Sequence, residues 1–233
     1  MCQEGNQVNS DRCLLDPPQS DKDTFASPME LFRKENPKNF IIAHLNINHV
    51  RNKYCEVLPW MQNELVDFLA LSETKLDFSV TNATFTQHIA QYSMHRQDRT
   101  GNGGGLLCFV KSCIPHVERP EYSYNENGIE SMVIEIMIRK EKWFIITVYR
   151  PPSINIQFLK SALHFMCERC QSHGKSTYIM GDINVDFLKT GNPLCDVMDV
   201  YGLKNIITGP TCFKSVENPS SVDVILTDSK ARE

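Results

Sequence analysis

The chain has 233 residues and a formal net charge of −4, from 24 Lys and Arg against 28 Asp and Glu. Its composition, 41% hydrophobic and 22% charged, is that of an ordinary soluble domain, and its length suffices for one sizeable α/β core. The acidic balance argues against a protein that coats nucleic acid through bulk electrostatics, but not against a nuclease whose metal-binding carboxylates add negative charge.

Residues 1–38 are polar, contain prolines and show no sustained periodicity, which predicts a disordered leader before a single domain over residues 39–233. The N-terminus has neither a basic nor an apolar region, and no stretch approaches the roughly 18 apolar residues of a membrane span, so we expect no signal peptide and no membrane association. The nine cysteines are scattered, and several lie in apolar runs. This usage is typical of an intracellular protein, in the nucleus or the cytoplasm.

The hydrophobic pattern predicts an α/β domain in which strands and helices alternate. Apolar and β-branched runs predict strands over 40–46, 68–72, 89–96, 106–110, 131–138, 143–149, 178–180 and 220–226. Apolar residues at helical spacing predict helices over 53–66, 156–170 and 194–200. The charged residues 139–142 predict the solvated turn of a hairpin.

Two motifs resemble binding sites but are better explained otherwise. The glycine tract 100–105 is followed by a strand and by no Gly-Lys-Ser/Thr, so it predicts a flexible turn rather than a phosphate-binding loop. His164, Cys167, Cys170 and His173 have the spacing of a zinc motif. On one continuous helix they would span roughly 13 Å, which is too far for a single tetrahedral ion.

Polar residues end several of the predicted strands. They are Asn46, Glu73, Tyr149, Asp182, Asn184 and Asp223. Asp182 and Asn184 follow the apolar run 178–180 two residues apart, so they would point the same way. A sheet that brought these strand ends together would form a pocket of three carboxylates, two amides and a phenol. Such hard oxygen ligands suit Mg²⁺, which binds one or two carboxylates together with a substrate phosphate.

The order of these motifs resembles the endonuclease/exonuclease/phosphatase superfamily. The motifs are Asn46-Ile47-Asn48, Ser72-Glu73-Thr74, Gly103-Gly104-Gly105, Tyr149-Arg150-Pro151-Pro152, Gly181-Asp182-Ile183-Asn184, Gly209-Pro210-Thr211 and Ser221-Val222-Asp223. Within that superfamily, several of the phrases are characteristic of the apurinic-endonuclease-like domain of non-LTR retrotransposons. The resemblance covers residues 39–228.

The resemblance implies a four-layer sandwich of two mixed sheets flanked by helices, with an active site at the strand ends. It also implies Mg²⁺-dependent hydrolysis of a DNA phosphodiester, with Mn²⁺ as a possible substitute, leaving a nick with a free 3′ hydroxyl. It identifies no protein partner and no target sequence.

The resemblance assigns roles to individual residues. Glu73 would be the metal ligand, with Asn46 beside it. Asp182 would orient or deprotonate the attacking water, and Asp223 would be a further acid of the site. A cation and a positioned base are what the attack of water on an anionic phosphodiester requires.

The remaining assignments concern the substrate. Asn184 would hold the phosphate and Tyr149 would steady it. Thr211 lies where a supporting threonine is expected, and Thr211 and Arg150 would contact the substrate.

The chain departs from the pattern in one place. The family pattern ends in Ser-Asp-His, whereas this chain has no histidine after His173. The domain is therefore expected to be incomplete at its C-terminus, with an unpaired sheet edge and weak or no activity. His44, two residues before Asn46, could stand in for the missing histidine or could be a packed strand residue. The alternatives to a nuclease are a catalytically dead module that binds nucleic acid or protein, and a phosphatase or deadenylase of the same superfamily.

Overall fold

A computed structural model describes residues 26–100, 102–173, 176–215 and 217–228. Its strands are β1 (Ile42–Asn46), β2 (Phe68–Ser72), β3 (Tyr92–Gln97), β4 (Leu106–Lys111), β5 (His116–Glu118), β6 (Glu130–Ile138), β7 (Glu141–Tyr149), β8 (Ser176–Asp182), β9 (Lys204–Asn205) and β10 (Asp223–Thr227). Its α-helices are α1 (Pro28–Glu35), α2 (Val50–Gln62), α3 (Ala83–Thr86), α4 (Ile156–His173) and α5 (Cys195–Tyr201), and Pro120–Tyr122 form a 3₁₀ turn.

The strands form two mixed sheets. The first sheet has four strands in the order β1-β2-β4-β3, and the second has six in the order β5-β6-β7-β8-β10-β9. Strand β1 runs parallel to β2, and β7 runs parallel to β8, whereas the other pairs are antiparallel. Each parallel pair is joined by a helical crossover, α2 or α4, as parallel pairing requires.

Three apolar clusters show how the layers are stacked. One lies between the two sheets, where Phe68 and Ala70 of β2 meet Ile145 of β7. The intervening residues of the same strands face the opposite way and pack against helices, α2 on the first sheet and α4 with α5 on the second. Because both faces of both sheets are covered, the central strands are continuous apolar runs. The predicted four-layer sandwich is confirmed.

Several boundaries differ from the sequence-based prediction. The predicted strand 89–96 begins at Tyr92, because Ile89 and Tyr92 belong to a turn in which the Tyr92 amide donates to the Ile89 carbonyl. The final strand begins at Asp223 rather than at residue 220. Helix α2 begins at Val50, before the predicted residue 53.

The predicted leader falls partly outside the described residues, which begin at 26. Within residues 26–38, Ser27 caps helix α1 through a capping box with Glu30. Arg33 of this helix ion-pairs with Asp67 at 2.7 Å and donates to the Leu65 carbonyl at 3.0 Å. Helix α1 therefore contacts the sandwich through a basic side chain.

Among the described residues, no helix could span a membrane, and the residues with zinc-motif spacing do not form a cluster. None of their helices combines the length and apolarity needed to cross a bilayer. Cys167 and Cys170 are buried between α4 and the second sheet, whereas the His164 ring contacts Tyr201. The four residues of the zinc spacing therefore do not converge, as the geometry of a continuous helix predicts.

Candidate active site

One end of the gap between the sheets is lined by polar side chains. Along each strand, alternate residues face this gap, which is apolar where Ile42 and Met180 lie. The same alternation brings Asn46 of β1 and Asp182 of β8 into the gap, each as the last residue of its strand. The site therefore lies at the end of the gap between the sheets, where the side chains that face the gap are polar instead of apolar.

Asn46 connects the two sheets at this end. Its side-chain nitrogen donates to Oε1 of Glu73 at 2.8 Å and to Oδ2 of Asp182 at 2.8 Å. Its side-chain oxygen accepts from the amide of Asn48 at 3.1 Å. Glu73 directly follows β2 in the first sheet, and Asp182 ends β8 in the second. One amide thus holds two carboxylates that are far apart in the chain.

A third carboxylate lies opposite Asp182. Asp223 is the cross-strand partner of Asp182 in the antiparallel β8–β10 ladder, an arrangement that like charges disfavour. Burial raises the pKa of Asp182, and hydrogen bonds from Asn46 and Asn184 offset part of the effect. Burial also raises the pKa of Asp223 to about 6, and the charge of Asp182 contributes in the same direction. The site therefore concentrates negative charge at a cost to the fold.

Two residues support the carboxylates from behind. Burial and the nearby Glu73 raise the pKa of the Tyr149 phenol, so this group stays a neutral hydrogen-bond donor, and it is hydrogen-bonded to Glu73. Thr211 lies beside Asp223, where its hydroxyl oxygen accepts from the amides of Val222 and Asp223 at 3.1 Å each. These contacts limit the movement of Glu73 and Asp223.

Asn184 lies on the loop after β8. Its backbone amide donates to Oδ1 of Asp182 at 3.0 Å, and its side-chain nitrogen donates to the Arg150 carbonyl at 2.9 Å. An amide nitrogen carries two hydrogens, so one donor of Asn184 remains for a ligand in the cavity.

Arg150 does not join this set, although the sequence predicted that it would contact the substrate. Its side chain is buried, and its guanidinium donates to the main-chain carbonyls of Ile183 at 2.7 Å, Asn184 at 2.7 Å and Ile154. Arginine has five N–H donors in a fixed fork, which suits several carbonyls at once. Arg150 therefore holds the loop after β8 in place and does not line the cavity, and its contact with the substrate stays a prediction.

The backbone around the site is strained. Among the described non-glycine residues with positive φ, several lie at the strand ends of the site: Asn48, His49, Glu73, Lys75 and Asn184. Such conformations cost of order 1–3 kcal/mol each and tend to cluster at functional sites.

Glycine is required next to Asp182. A Cβ added at Gly181, where φ is 154°, would lie 1.7 Å from the carbonyl oxygen of Val148. Only glycine permits this close approach of β8 to β7, which fixes the position of Asp182.

A cavity of about 690 Å³ opens in front of the carboxylates. Of the residues predicted from the sequence, Asn46, Glu73, Asp182, Asn184, Thr211 and Asp223 line it, whereas Tyr149 lies behind Glu73. Phe213 and Lys214, which were not predicted from the sequence, also line the cavity from the loop between Thr211 and Ser220. Phe213 is 63% exposed. An aromatic and a basic residue, separated from the Gly-Pro-Thr motif by Cys212 alone, were the available signal.

The side-chain oxygens of the site could hold a divalent cation only if water and a substrate phosphate supplied further ligands. In the described part of the chain, no three His, Cys, Asp or Glu side chains are close enough together to hold a metal by themselves. Mg²⁺ does not require this, because it usually keeps several waters and binds one or two carboxylates plus substrate phosphate. Glu73 therefore suits Mg²⁺, with Asp182 close by, whereas Asn46 presents its nitrogen rather than its oxygen to both carboxylates.

The fold was compared with known proteins. Neither a family model nor a curated protein sequence matches the chain. Among solved structures, the endonuclease domain of TRAS1, a telomere-specific non-LTR retrotransposon, has a TM-score of 0.61 and 16% identity over 80% of this chain and 83% of its own. An endonuclease/exonuclease/phosphatase family protein from Leptotrichia buccalis has a TM-score of 0.64 and 14% identity over 82% and 88%.

A third similar structure is the 3′ phosphatase NExo from Neisseria, bound to a product DNA hairpin. Its TM-score is 0.59, with 13% identity over 81% of this chain and 86% of that one. At these identities the likeness establishes the fold alone. The chain has the fold of the endonuclease/exonuclease/phosphatase superfamily.

Proposed function

We propose that this domain hydrolyses phosphodiester bonds with the aid of a divalent cation, and that its substrate is DNA. The observation that supports this most directly is the contact of the Asn46 amide with both Glu73 and Asp182, which gathers two carboxylates from separate sheets at the mouth of one cavity. The motif resemblance and the shared fold point to the same chemistry.

The proposed metal ligands are Glu73 and the side-chain oxygen of Asn46, which would turn toward the ion from its contact with the Asn48 amide. Mg²⁺ is the expected ion, and Mn²⁺ could replace it, because both prefer oxygen ligands. When bound, the cation would neutralise charge that develops on the phosphate. Tyr149 would keep the Glu73 carboxylate oriented through its hydroxyl.

Asp182 is the proposed base. Its carboxylate is buried, lies within hydrogen-bond reach of Asn46 and faces the cavity. A carboxylate whose pKa is raised accepts a proton more readily than an ordinary one, which suits the removal of a proton from water. Asn184 would donate to the phosphate through its remaining N–H, and Thr211 would keep Asp223 at the cavity wall.

DNA is the proposed substrate because of the motif resemblance and the cavity rim. Lys214 and Phe213 line the cavity next to the carboxylates. A lysine can contact a phosphate and an exposed aromatic ring can stack on a base. The 3′ phosphatase NExo was solved with a DNA hairpin, which is consistent with a nucleic-acid substrate for this fold.

The test is a plasmid-nicking assay with purified protein and Mg²⁺. Supercoiled plasmid should be converted to the open circular form by the wild type, but not by Asp182→Ala or Glu73→Ala, nor by the wild type in EDTA. Asp196→Ala is a matched control, because Asp196 lies on α5 with 64% of its side chain exposed and pairs only with Lys160 among the described residues.

The outcomes separate the alternatives. Nicking by the control and by both cavity variants alike would indicate a contaminating nuclease and overturn the proposal. Inactivity of the wild type with metal-dependent DNA binding would favour a binding module. Release of phosphate from small esters without plasmid nicking would favour a phosphatase.

A further inference from the structure

His44 approaches the site from the strand that carries Asn46. It lies two residues before Asn46 on β1, so both side chains face the gap between the sheets. The imidazole is buried, with 3% of its side chain exposed, and lies at the cavity wall. Strand β1 belongs to the first sheet, whereas the nearest carboxylate, Asp223, belongs to the second.

The two ring nitrogens of His44 face different partners. Nε2 lies 3.1 Å from the hydroxyl oxygen of Ser72, and Nδ1 lies 3.6 Å from Oδ1 of Asp223. The Ser72–His44 contact is a hydrogen bond within the first sheet. The His44–Asp223 contact crosses between sheets and is slightly longer than a hydrogen bond.

Asp223 needs a donor in this direction. Its Oδ1 is a buried oxygen that has no hydrogen-bond partner among the described residues. Leaving a buried acceptor unpaired is costly, and the cross-strand Asp182 adds repulsion. In the described part of the chain, the ring nitrogen that faces this oxygen within ion-pair distance is Nδ1 of His44.

The partners of the two ring nitrogens favour one tautomer of the ring. If Nδ1 carried a lone pair, it would face the carboxylate oxygen, and two acceptors would oppose each other. With hydrogen on Nδ1, the ring donates to Asp223 and accepts from the Ser72 hydroxyl at Nε2. A hydroxyl can donate in this way because it rotates to suit its partner.

We propose that His44 is a positioning residue for Asp223: its imidazole, held at Nε2 by Ser72, donates from Nδ1 to Oδ1 and fixes the direction of the Asp223 carboxylate in the cavity. The inference rests on the proposed hydrolysis, since it assigns a task to Asp223 there. Catalytic hydrogen bonds are often long without substrate and shorten in the complex, which is consistent with the 3.6 Å separation.

The kinetic test uses two substitutions at position 44. His44→Asn places an amide donor near the position of Nδ1, whereas His44→Leu keeps the bulk and removes the donor. Removing such a supporting hydrogen bond typically costs 10–100-fold in activity. We expect His44→Leu to lower kcat for nicking by about that factor with KM nearly unchanged, and His44→Asn to recover most of the loss.

A matched control and a double variant show whether the effect runs through Asp223. His95 also places Nδ1 against a carboxylate of the other sheet, Glu118 at 3.0 Å, but it does not line the cavity. His95→Leu should leave kcat within about twofold. The double variant His44→Leu/Asp223→Asn should be no slower than Asp223→Asn alone, because coupled residues are not additive.

A spectroscopic measurement decides the proposal independently of activity. Long-range ¹H–¹⁵N correlation spectra at neutral pH should show the Nδ1–H tautomer for His44 in the wild type and a changed ring signal in Asp223→Ala. The Nε2–H tautomer in the wild type would overturn the proposal, as would equal losses of kcat in His44→Leu and His44→Asn. If the wild type does not nick DNA but the tautomer is as expected, the proposed function fails while the His44–Asp223 contact stands.

Discussion

The two ends of strand β2 handle buried carboxylates in opposite ways. At its start, Asp67 is paired with Arg33 at 2.7 Å and Lys111 at 3.0 Å and accepts from the Ile41 amide at 2.8 Å. Burial alone would raise the pKa of Asp67, but these hydrogen bonds and charges hold the pKa below its usual value. This end of the sandwich is electrostatically complete.

The far end of β2 lacks such cations. Within the described ranges, neither Asp182 nor Asp223 forms an ion pair with lysine or arginine. Asp182 accepts from the Asn46 side chain and the Asn184 backbone amide, and Asp223 lies beside Thr211 and His44. Burial lowers the pKa of His44 to about 4, so that ring is neutral at pH 7. Lys214 lowers the pKa of both carboxyls only through its more distant charge. The end with Asp67 is therefore arranged for stability. The end with Asp182 and Asp223 has unbalanced negative charge, which a bound cation could neutralise.

The largest expected effect is on catalysis at the end of the sandwich that holds Asp182 and Asp223, here called the uncompensated end. Asp182→Asn should lower the nicking rate by about 10²–10⁴-fold, because it removes the proposed base. Asp67→Asn should leave the rate of the folded fraction within about threefold. Nicking rates normalised to folded protein check both. Equal losses in the two variants would remove the functional distinction between the ends.

The next largest effect is on stability at the end of the sandwich where Asp67 pairs with Arg33 and Lys111. Asp67→Asn should lower the free energy of unfolding by about 3 kcal/mol, because it leaves Arg33 and Lys111 without their shared carboxylate. Urea denaturation at pH 7.5 measures this, with the exposed Asp196→Asn expected to leave the unfolding midpoint nearly unchanged. Because the folded pKa is depressed, the contribution of Asp67 is complete above its unfolded pKa. It should be lost as pH falls below about 3.8, through the folded value.

Metal binding should stabilise only through the uncompensated end. At about a hundredfold excess over its Kd, Mg²⁺ should raise the free energy of unfolding by about 2.7 kcal/mol. For a chain of this size that shifts Tm by several degrees. Thermal unfolding with Mg²⁺ or EDTA should show the shift in wild type and Asp67→Asn but not in Glu73→Gln. A shift that persists in Glu73→Gln would place the ion elsewhere.

The smallest effect is a gain in stability on removing a site charge. In EDTA at pH 7.5, Asp223→Asn should be more stable than wild type by about 1–2 kcal/mol, because the raised pKa of about 6 marks a disfavoured carboxylate. The wild-type carboxyl becomes protonated as pH falls, so the difference should shrink between about pH 6 and pH 4. Urea midpoints across that range measure it. A destabilised Asp223→Asn at pH 7.5 would show that the hydrogen bonds of Asp223 outweigh its burial.

Much of this architecture could be predicted from the sequence, because the central strands are buried on both faces. Strand β2 was predicted with both of its ends, since Phe68–Ser72 is a continuous apolar run closed by polar residues. The short elements β5, β9 and α3 were missed, because two to four residues carry no recognisable period. The boundary at residue 38 stays a prediction.

The candidate site was predictable as a set of residues but not as a set of contacts. Polar residues at strand ends identified Asn46, Glu73, Asp182 and Asp223. No local pattern could show that the Arg150 guanidinium turns to main-chain carbonyls, or that His44 of one sheet meets a carboxylate of the other. Those contacts depend on how two sheets are placed against each other, which sequence periodicity does not encode.

The bridge made by Asn46 has a consequence for how the molecule moves. Because one amide joins the final residue of a strand in one sheet to carboxylates on both sides of the gap, any sliding of the sheets would break the site before it disturbed the apolar core. The geometry of the cavity therefore depends strongly on the relative position of the two sheets. A substrate and a cation bound at this junction would hold the two sheets together. The sheets would then separate only in a single cooperative step.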